Sequence, residues 1–241
     1  MLRYGLLHLT TNINIFTIIQ FDELVNNYLF LIIPIIIGIV SGYVIVSNMQ
    51  ETPNNDALLT KTKLVENGSP IMGKESAPIT ILEWGDYQCT FCFRFHESSL
   101  KIIENEYIDS GKVNLVFKDF PLNGPDSILA AEASYCAEDQ GKYWEYHNQL
   151  YTNWAGEKTG WITRDSLNKF ANTVGLELQQ FNQCLDEGKY NQRVLQLEQF
   201  GREIGVDATP SFFLFNGEDI MKIRGNQPID VFRQVINELD N

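Results

Sequence analysis

Hydrophobic and polar positions divide this 241-residue chain into stretches of different texture. Residues 1–27 mix apolar residues with Thr, Asn and Gln and form a short N-terminal segment without a clear period. From Leu24 to Gln50 no charged residue occurs, and the centre reads LFLIIPIIIGIVSGYVIV. A run of about 20 apolar residues is what a helix needs to cross a hydrocarbon core. One transmembrane helix is therefore expected at residues 28–48, since Pro34, Gly38 and Gly42 are tolerated in such helices. A cleaved signal peptide would carry a shorter apolar region, basic residues before it and a small-x-small site after it. Here Asp22 and Glu23 precede the run and no such site follows, which favours an uncleaved anchor. Residues 49–68 are polar and turn-rich and read as a linker.

Beyond it, residues 69–241 alternate between two periodicities. Pro78–Trp84 is short, β-branched and bounded by turn residues, the pattern of a buried strand. A helix follows, with apolar residues at Phe95, Leu100, Ile103 and Tyr107 and a glycine stop at Gly111. Lys112–Phe120 reads as a second strand. From about 127 to 203, apolar residues recur three and four apart, which predicts several helices. SFFLFNGEDIMKIRG then reads as a hairpin around Asn216–Gly217, and Ile229–Leu239 as a closing amphipathic helix. The predicted plan is α/β: β-α-β, an inserted helical block, then β-β-α.

Composition narrows the function. With 44% apolar and 20% charged residues the chain is globular rather than disordered. A net charge of −13 argues against a nucleic-acid partner, whose phosphates need Lys and Arg. Basic residues near the apolar run are too few to orient it, with only Arg3 before it.

The chemistry sits at Cys89-Thr90-Phe91-Cys92, where the first predicted helix begins. Cysteines at i and i+3 of a first turn bring their sulfurs within bonding reach. The unsatisfied N–H groups of a helix N-terminus stabilise a thiolate, which makes Cys89 the nucleophile and Cys92, one turn further in, the resolving partner. A zinc site would call for a second ligand pair. Cys136 and Cys184 are isolated in the sequence, and His96 is the one further nearby candidate. Attachment of c-type haem would need His at position 93, where the chain has Phe93.

In order along the chain, SPIMGKESAPITILEWGDYQCTFC, AAEASYCAEDQGKYWEYHNQLY and GVDATPSFFLFNG resemble the DsbA-like branch of the thioredoxin superfamily, including its membrane-anchored members. The resemblance covers residues 69–241. It implies a thioredoxin fold with a helical insertion and thiol–disulfide exchange on exported cysteine-containing proteins. No dissociable cofactor and no metal are implied, and a quinone-linked membrane protein would restore the disulfide. Glu83, six residues before Cys89, matches the family's buried acid, whereas the residues alone also allow a half-exposed strand glutamate. Thr209-Pro210 matches the cis-proline loop that receives substrate, although the residues alone equally allow a proline that opens a strand. The family often pairs the cysteines that correspond to Cys136 and Cys184; two buried free thiols are the other reading.

The chain departs from the strongest oxidants of that family in lacking a histidine between its active-site cysteines. A disulfide isomerase or reductase is therefore the alternative within the same chemistry. A thioredoxin-fold binding or metal-carrier module is the alternative from another class. For a disulfide-forming protein the catalytic domain belongs outside the cytoplasm, because the cytosol keeps thiols reduced.

Overall fold

A computed structural model describes residues 60–241. The short segment 1–27 and the expected anchor 28–48 lie outside the described residues. Among the described residues no helix is long and apolar enough to cross a membrane.

Four strands form one sheet in the order β2-β1-β3-β4. Strands β1 (Ile79–Gly85) and β2 (Val113–Asp119) are parallel; β3 (Ser211–Phe215) runs antiparallel to β1, and β4 (Ile220–Arg224) antiparallel to β3. Every residue of β1, β2 and β3 is buried, because helices cover both faces of the sheet. The period-2 alternation sorts side chains between those faces. Ile79, Ile81, Phe212 and Leu214 face one core, while Leu82, Trp84 and Phe213 face the other.

The short helix α1 (Lys61–Val65) precedes the sheet. Residues 60–68, read as linker from their polarity, are instead part of the folded domain. Leu64 is buried in the core, Thr60 caps the helix, and the Ser69 N–H donates to the Phe117 carbonyl at 2.8 Å. One well-placed apolar residue docks a segment whose composition alone signals solvent.

Helix α2 begins as Thr90–Phe95 and runs on through wider π-helical turns at His96–Leu100 and Glu104–Ile108, joined by the α-turn Lys101–Ile103. Its buried apolar residues Phe95, Leu100, Ile103 and Ile108 include two intervals of five, which i→i+5 turns keep on one face. The helix ends before Gly111, whose φ of 79° is the left-handed conformation that glycine adopts freely. With α8 (Ile229–Leu239) it covers one face of the sheet, where Phe95, Phe212 and Phe232 pack together.

Five helices form the insertion on the other face: α3 (Pro125–Glu138), α4 (Tyr143–Thr152), α5 (Arg164–Thr173), α6 (Leu178–Asp186) and α7 (Asn191–Glu203). Helix α7 passes close to the sheet at Gly201, where an added Cβ would lie 2.9 Å from the Phe120 ring and 3.0 Å from that of Trp84. A disulfide between Cys136 and Cys184 ties α3 to α6, with their Cα atoms 5.8 Å apart.

The hairpin between β3 and β4 does not turn on Asn216 and Gly217 alone. Its loop runs from Asn216 to Asp219, and the Asn216 carboxamide oxygen accepts the N–H groups of Glu218 and Asp219 at 2.8 and 2.7 Å. The side-chain turn of Asn216 takes the place of a tight two-residue Asn-Gly turn.

Candidate active site

Strand β1 delivers the chain to a rigid turn. Asp86 at its end is almost fully buried, and one carboxylate oxygen accepts the Gln88 N–H at 2.8 Å and the Ser127 hydroxyl at 2.7 Å. The other oxygen accepts the Asn123 N–H and side-chain amide. Burial pushes the Asp86 carboxyl up, and these donors pull it back. The turn thereby joins the end of β1 to the loop after β2 and to the first turn of α3.

The next residue along is Cys89, the N-cap of α2, 6% exposed, with its thiol free. Cys92, one turn in, is also free and has no exposed surface. Position alone makes the two sulfurs unequal. The Cys92 thiol hydrogen-bonds the Cys89 sulfur and, with the Thr209 side chain and the N–H groups of Cys92 and Phe91, lowers the Cys89 pKa to about 6 against the opposing effect of burial. Burial holds the Cys92 thiol well above its ordinary range, and the Cys89 and Glu83 charges add to this. At neutral pH the charge resides on Cys89 and the proton on Cys92. A thiolate favoured in this way stabilises the reduced pair, so the corresponding disulfide is a better oxidant.

The cis peptide bond Thr209–Pro210 leads into β3, and the Thr209 carbonyl accepts a hydrogen bond from the Cys89 thiol at 3.4 Å. The fold thus sets residues 120 positions apart in contact.

Glu83 on β1 is 3% exposed. Burial, with a smaller contribution from the charge on Cys89, raises its carboxyl to about 8. Unfolded, it ionises near the ordinary glutamate value of 4.5, so the fold binds one more proton between these values and loses stability as pH rises through them. Glu83→Gln is expected to make the reduced protein more stable by about 3 kcal/mol near pH 7 and to leave it nearly unchanged near pH 4. Denaturant unfolding at the two pH values measures the difference; an equal effect at both would show that Glu83 ionises normally.

An aromatic wall closes the site behind the cysteines. The Tyr87 hydroxyl and His147 Nδ1 are hydrogen-bonded at 2.9 Å, and the Tyr151 ring packs 5.3 Å from Tyr87 and 5.0 Å from His147. Burial holds His147 well below its usual range, which keeps it neutral. His96 stacks on Tyr151 at 4.7 Å and pairs with Asn148. Among the described residues no group of three or more His, Cys, Asp and Glu is arranged to hold a metal ion. On the outer side Phe91 is 52% exposed, with the Arg94 guanidinium 5.5 Å over its ring.

Sequence reasoning singled out Cys89, Cys92, Glu83, Thr209 and Pro210, and these lie around one point in the fold. Cys136 and Cys184 lie in the insertion. It missed Asp86, Gln88 and the loop after α4. The Gly-Asp turn after β1 was a usable signal for Asp86. The loop carries no local signal, because its role comes only from where the insertion docks.

A family model described as Thioredoxin matches residues 66–238. The chain belongs to the thioredoxin family. Within that family it is a DsbA-like member and a thiol–disulfide oxidoreductase. "Disulfide bond formation protein D" of Bacillus subtilis is 28% identical over 170 residues, covering 69% of this chain and 76% of the relative. The crystal structure of oxidised BdbD from Bacillus subtilis superimposes with a TM-score of 0.66 at 25% identity, over 73% of this chain and 95% of that one. Wolbachia pipientis alpha-DsbA1 gives 0.65 at 26% identity, over 77% and 94%. The thioredoxin unit of this chain is the sheet with α2 and α8, and α3–α7 form the helical insertion.

Proposed function

We propose that this thioredoxin-family protein introduces disulfides into exported proteins, with residues 28–48 anchoring it in the membrane and the domain from about residue 60 onward facing outside the cytoplasm. The observation that carries the reading is the inequality of the two thiols: an acidic Cys89 at the helix terminus beside the cis Thr209–Pro210 bond, and a buried, protonated Cys92 behind it. The names of the Bacillus relatives, disulfide bond formation protein D, support the direction of the reaction.

In the oxidised protein a substrate thiolate attacks the Cys89 sulfur. The substrate–Cys89 bond forms, the Cys89–Cys92 bond breaks, and the electron pair leaves on Cys92. Glu83, which holds its proton at neutral pH, supplies that proton to the Cys92 sulfur. The second substrate thiolate then attacks the substrate sulfur of the mixed disulfide and expels Cys89 as a thiolate, which is a good leaving group because its pKa is low. The substrate leaves with a disulfide, and two electrons remain on the Cys89–Cys92 pair. A quinone-linked membrane protein would remove them. Thr209 and Pro210 present backbone beside Cys89 to which an extended substrate segment can pair as an added strand.

Thr90 and Phe91 supply no positive charge between the cysteines, so the pair is expected to be a moderate oxidant, between about −180 and −120 mV. The oxidised full chain should convert a dithiol peptide to its disulfide, and a protease added to intact cells should reach the catalytic domain. A potential near −270 mV would make the protein a reductant. A domain protected in intact cells would overturn its location.

A further inference from the structure

The loop joining α4 to α5 lies against the start of α2. The Trp154 indole N–H donates to the Gln88 carbonyl at 2.9 Å, and the Trp154 ring stacks on Phe93 with centroids 4.5 Å apart. The Lys158 N–H donates to the Gln88 carboxamide oxygen at 2.9 Å, with Lys158 held in the left-handed region at φ 55°. Gln88 is anchored in turn, its amide donating to the Ser127 hydroxyl at 2.9 Å. Between the two points of attachment lies Glu157, and its carboxylate accepts the Thr90 N–H at 2.8 Å. Thr90 is the first helical residue after Cys89. The insertion therefore brings an anionic group onto the helix terminus that also carries the reactive sulfur.

We propose that Glu157 is a positioning residue that restrains the acidity of Cys89 and so sets the oxidising strength of the pair. The inference deepens the reading of Cys89 as the attacking thiol and rests on it. The Glu157 carboxylate takes the Thr90 N–H and Cys89 those of Phe91 and Cys92, so two anions at one helix terminus draw on the same partial positive charge. With the carboxylate seated on Thr90, a thiolate on Cys89 gains less from that terminus and also meets a negative neighbour. The other titratable or charged groups in this neighbourhood are Cys92 and Arg94 on α2, Glu83 on β1, Asp86 in the turn, Tyr151 on α4 and Lys158 beside Glu157. Glu157 is exposed and comes from the insertion, so it can be changed without disturbing the cysteines, the cis proline or the core.

Glu157→Gln keeps an oxygen acceptor for Thr90 and removes the charge; Glu157→Ala removes both. Two measurements on the full chain test the inference. One is the pH dependence of Cys89 alkylation. The other is the equilibrium in which the protein disulfide and two glutathione thiols exchange for the protein dithiol and one glutathione disulfide. A charge at a helix terminus contributes about 0.3–1 kcal/mol, so Glu157→Gln should increase the Cys89 acid dissociation constant about two- to fivefold. The glutathione equilibrium should move by a similar factor toward the protein dithiol. Both changes should shrink near 1 M salt, where the screening length is about 3 Å. An unchanged or raised Cys89 pKa in Glu157→Gln would overturn the proposal and leave Glu157 as a loop fastener. The alkylation arm does not depend on turnover. A wild-type chain that fails to oxidise dithiols would therefore count against the function and not against this role of Glu157.

Discussion

Cys92→Ala is expected to accumulate mixed disulfides between Cys89 and exported proteins, and Cys89→Ala to accumulate almost none. Both variants should lose dithiol oxidation by on the order of 10³-fold or more, because the two sulfurs act as one unit. The contrast between them follows from geometry. Cys89 caps α2 beside Thr209 and keeps a small exposed area, 6%, through which an incoming thiolate can reach it. Cys92 is wholly buried, and its thiol is held protonated. Without Cys92 the mixed disulfide lacks its internal resolving thiol and persists. Without Cys89 the remaining thiol is both inaccessible and uncharged, so it neither attacks nor receives attack. Non-reducing electrophoresis of cell extracts, followed by identification of the bands that collapse with reductant, reads the outcome. Equal trapping by the two variants would remove the assigned roles.

Removing the disulfide between α3 and α6 should have the largest effect on stability. Cys136 and Cys184 lie 48 positions apart, and closing a loop of that length restrains the unfolded chain by about 4 kcal/mol in the chain-entropy view. For a domain of this size, that corresponds to a fall in Tm of roughly 8–16 °C. The double variant Cys136→Ala, Cys184→Ala should show this loss in thermal unfolding and retain dithiol oxidation at low temperature, because neither cysteine touches the exchanging pair. Peptide mapping without reductant should recover Cys136 joined to Cys184. Two alkylatable thiols there, with unchanged unfolding, would contradict the bond.

The two predictions separate what the insertion does from what the thioredoxin unit does. In the proposed mechanism exchange depends on β1, α2 and the turn before β3, which together hold Cys89, Cys92, Glu83, Thr209 and Pro210. The insertion contributes the aromatic wall behind Cys92, the Ser127 anchor of the Asp86–Gln88 turn and the loop that seats Glu157 on Thr90. A loosened insertion is therefore expected to shift the properties of the cysteine pair before it abolishes exchange.

Much of the fold was legible because its signals are local. Short β-branched runs between turn residues mark β1 and β2, and three-and-four spacing marks the insertion helices. The CxxC pair following a strand was placed correctly at a helix start, because such a start is written in a few consecutive residues. Local signals failed where a contact made the structure. Residues 60–68 read as linker until Leu64 found the core. Regular α turns in α2 gave way to π turns, which keep the apolar intervals of five from Phe95 to Leu100 and from Ile103 to Ile108 on the buried face. By itself the sequence determined the α/β order, the candidate cysteine pair and the resemblance that carries the family's chemistry. Only the tertiary structure decided that Glu83 is buried, that Cys136 meets Cys184, that the Thr209 carbonyl faces Cys89, and that Glu157 sits on the first N–H of α2. The reason is physical: each of these is a relation between residues far apart in the chain, created when the helices close over the sheet and exclude water from the groups between them.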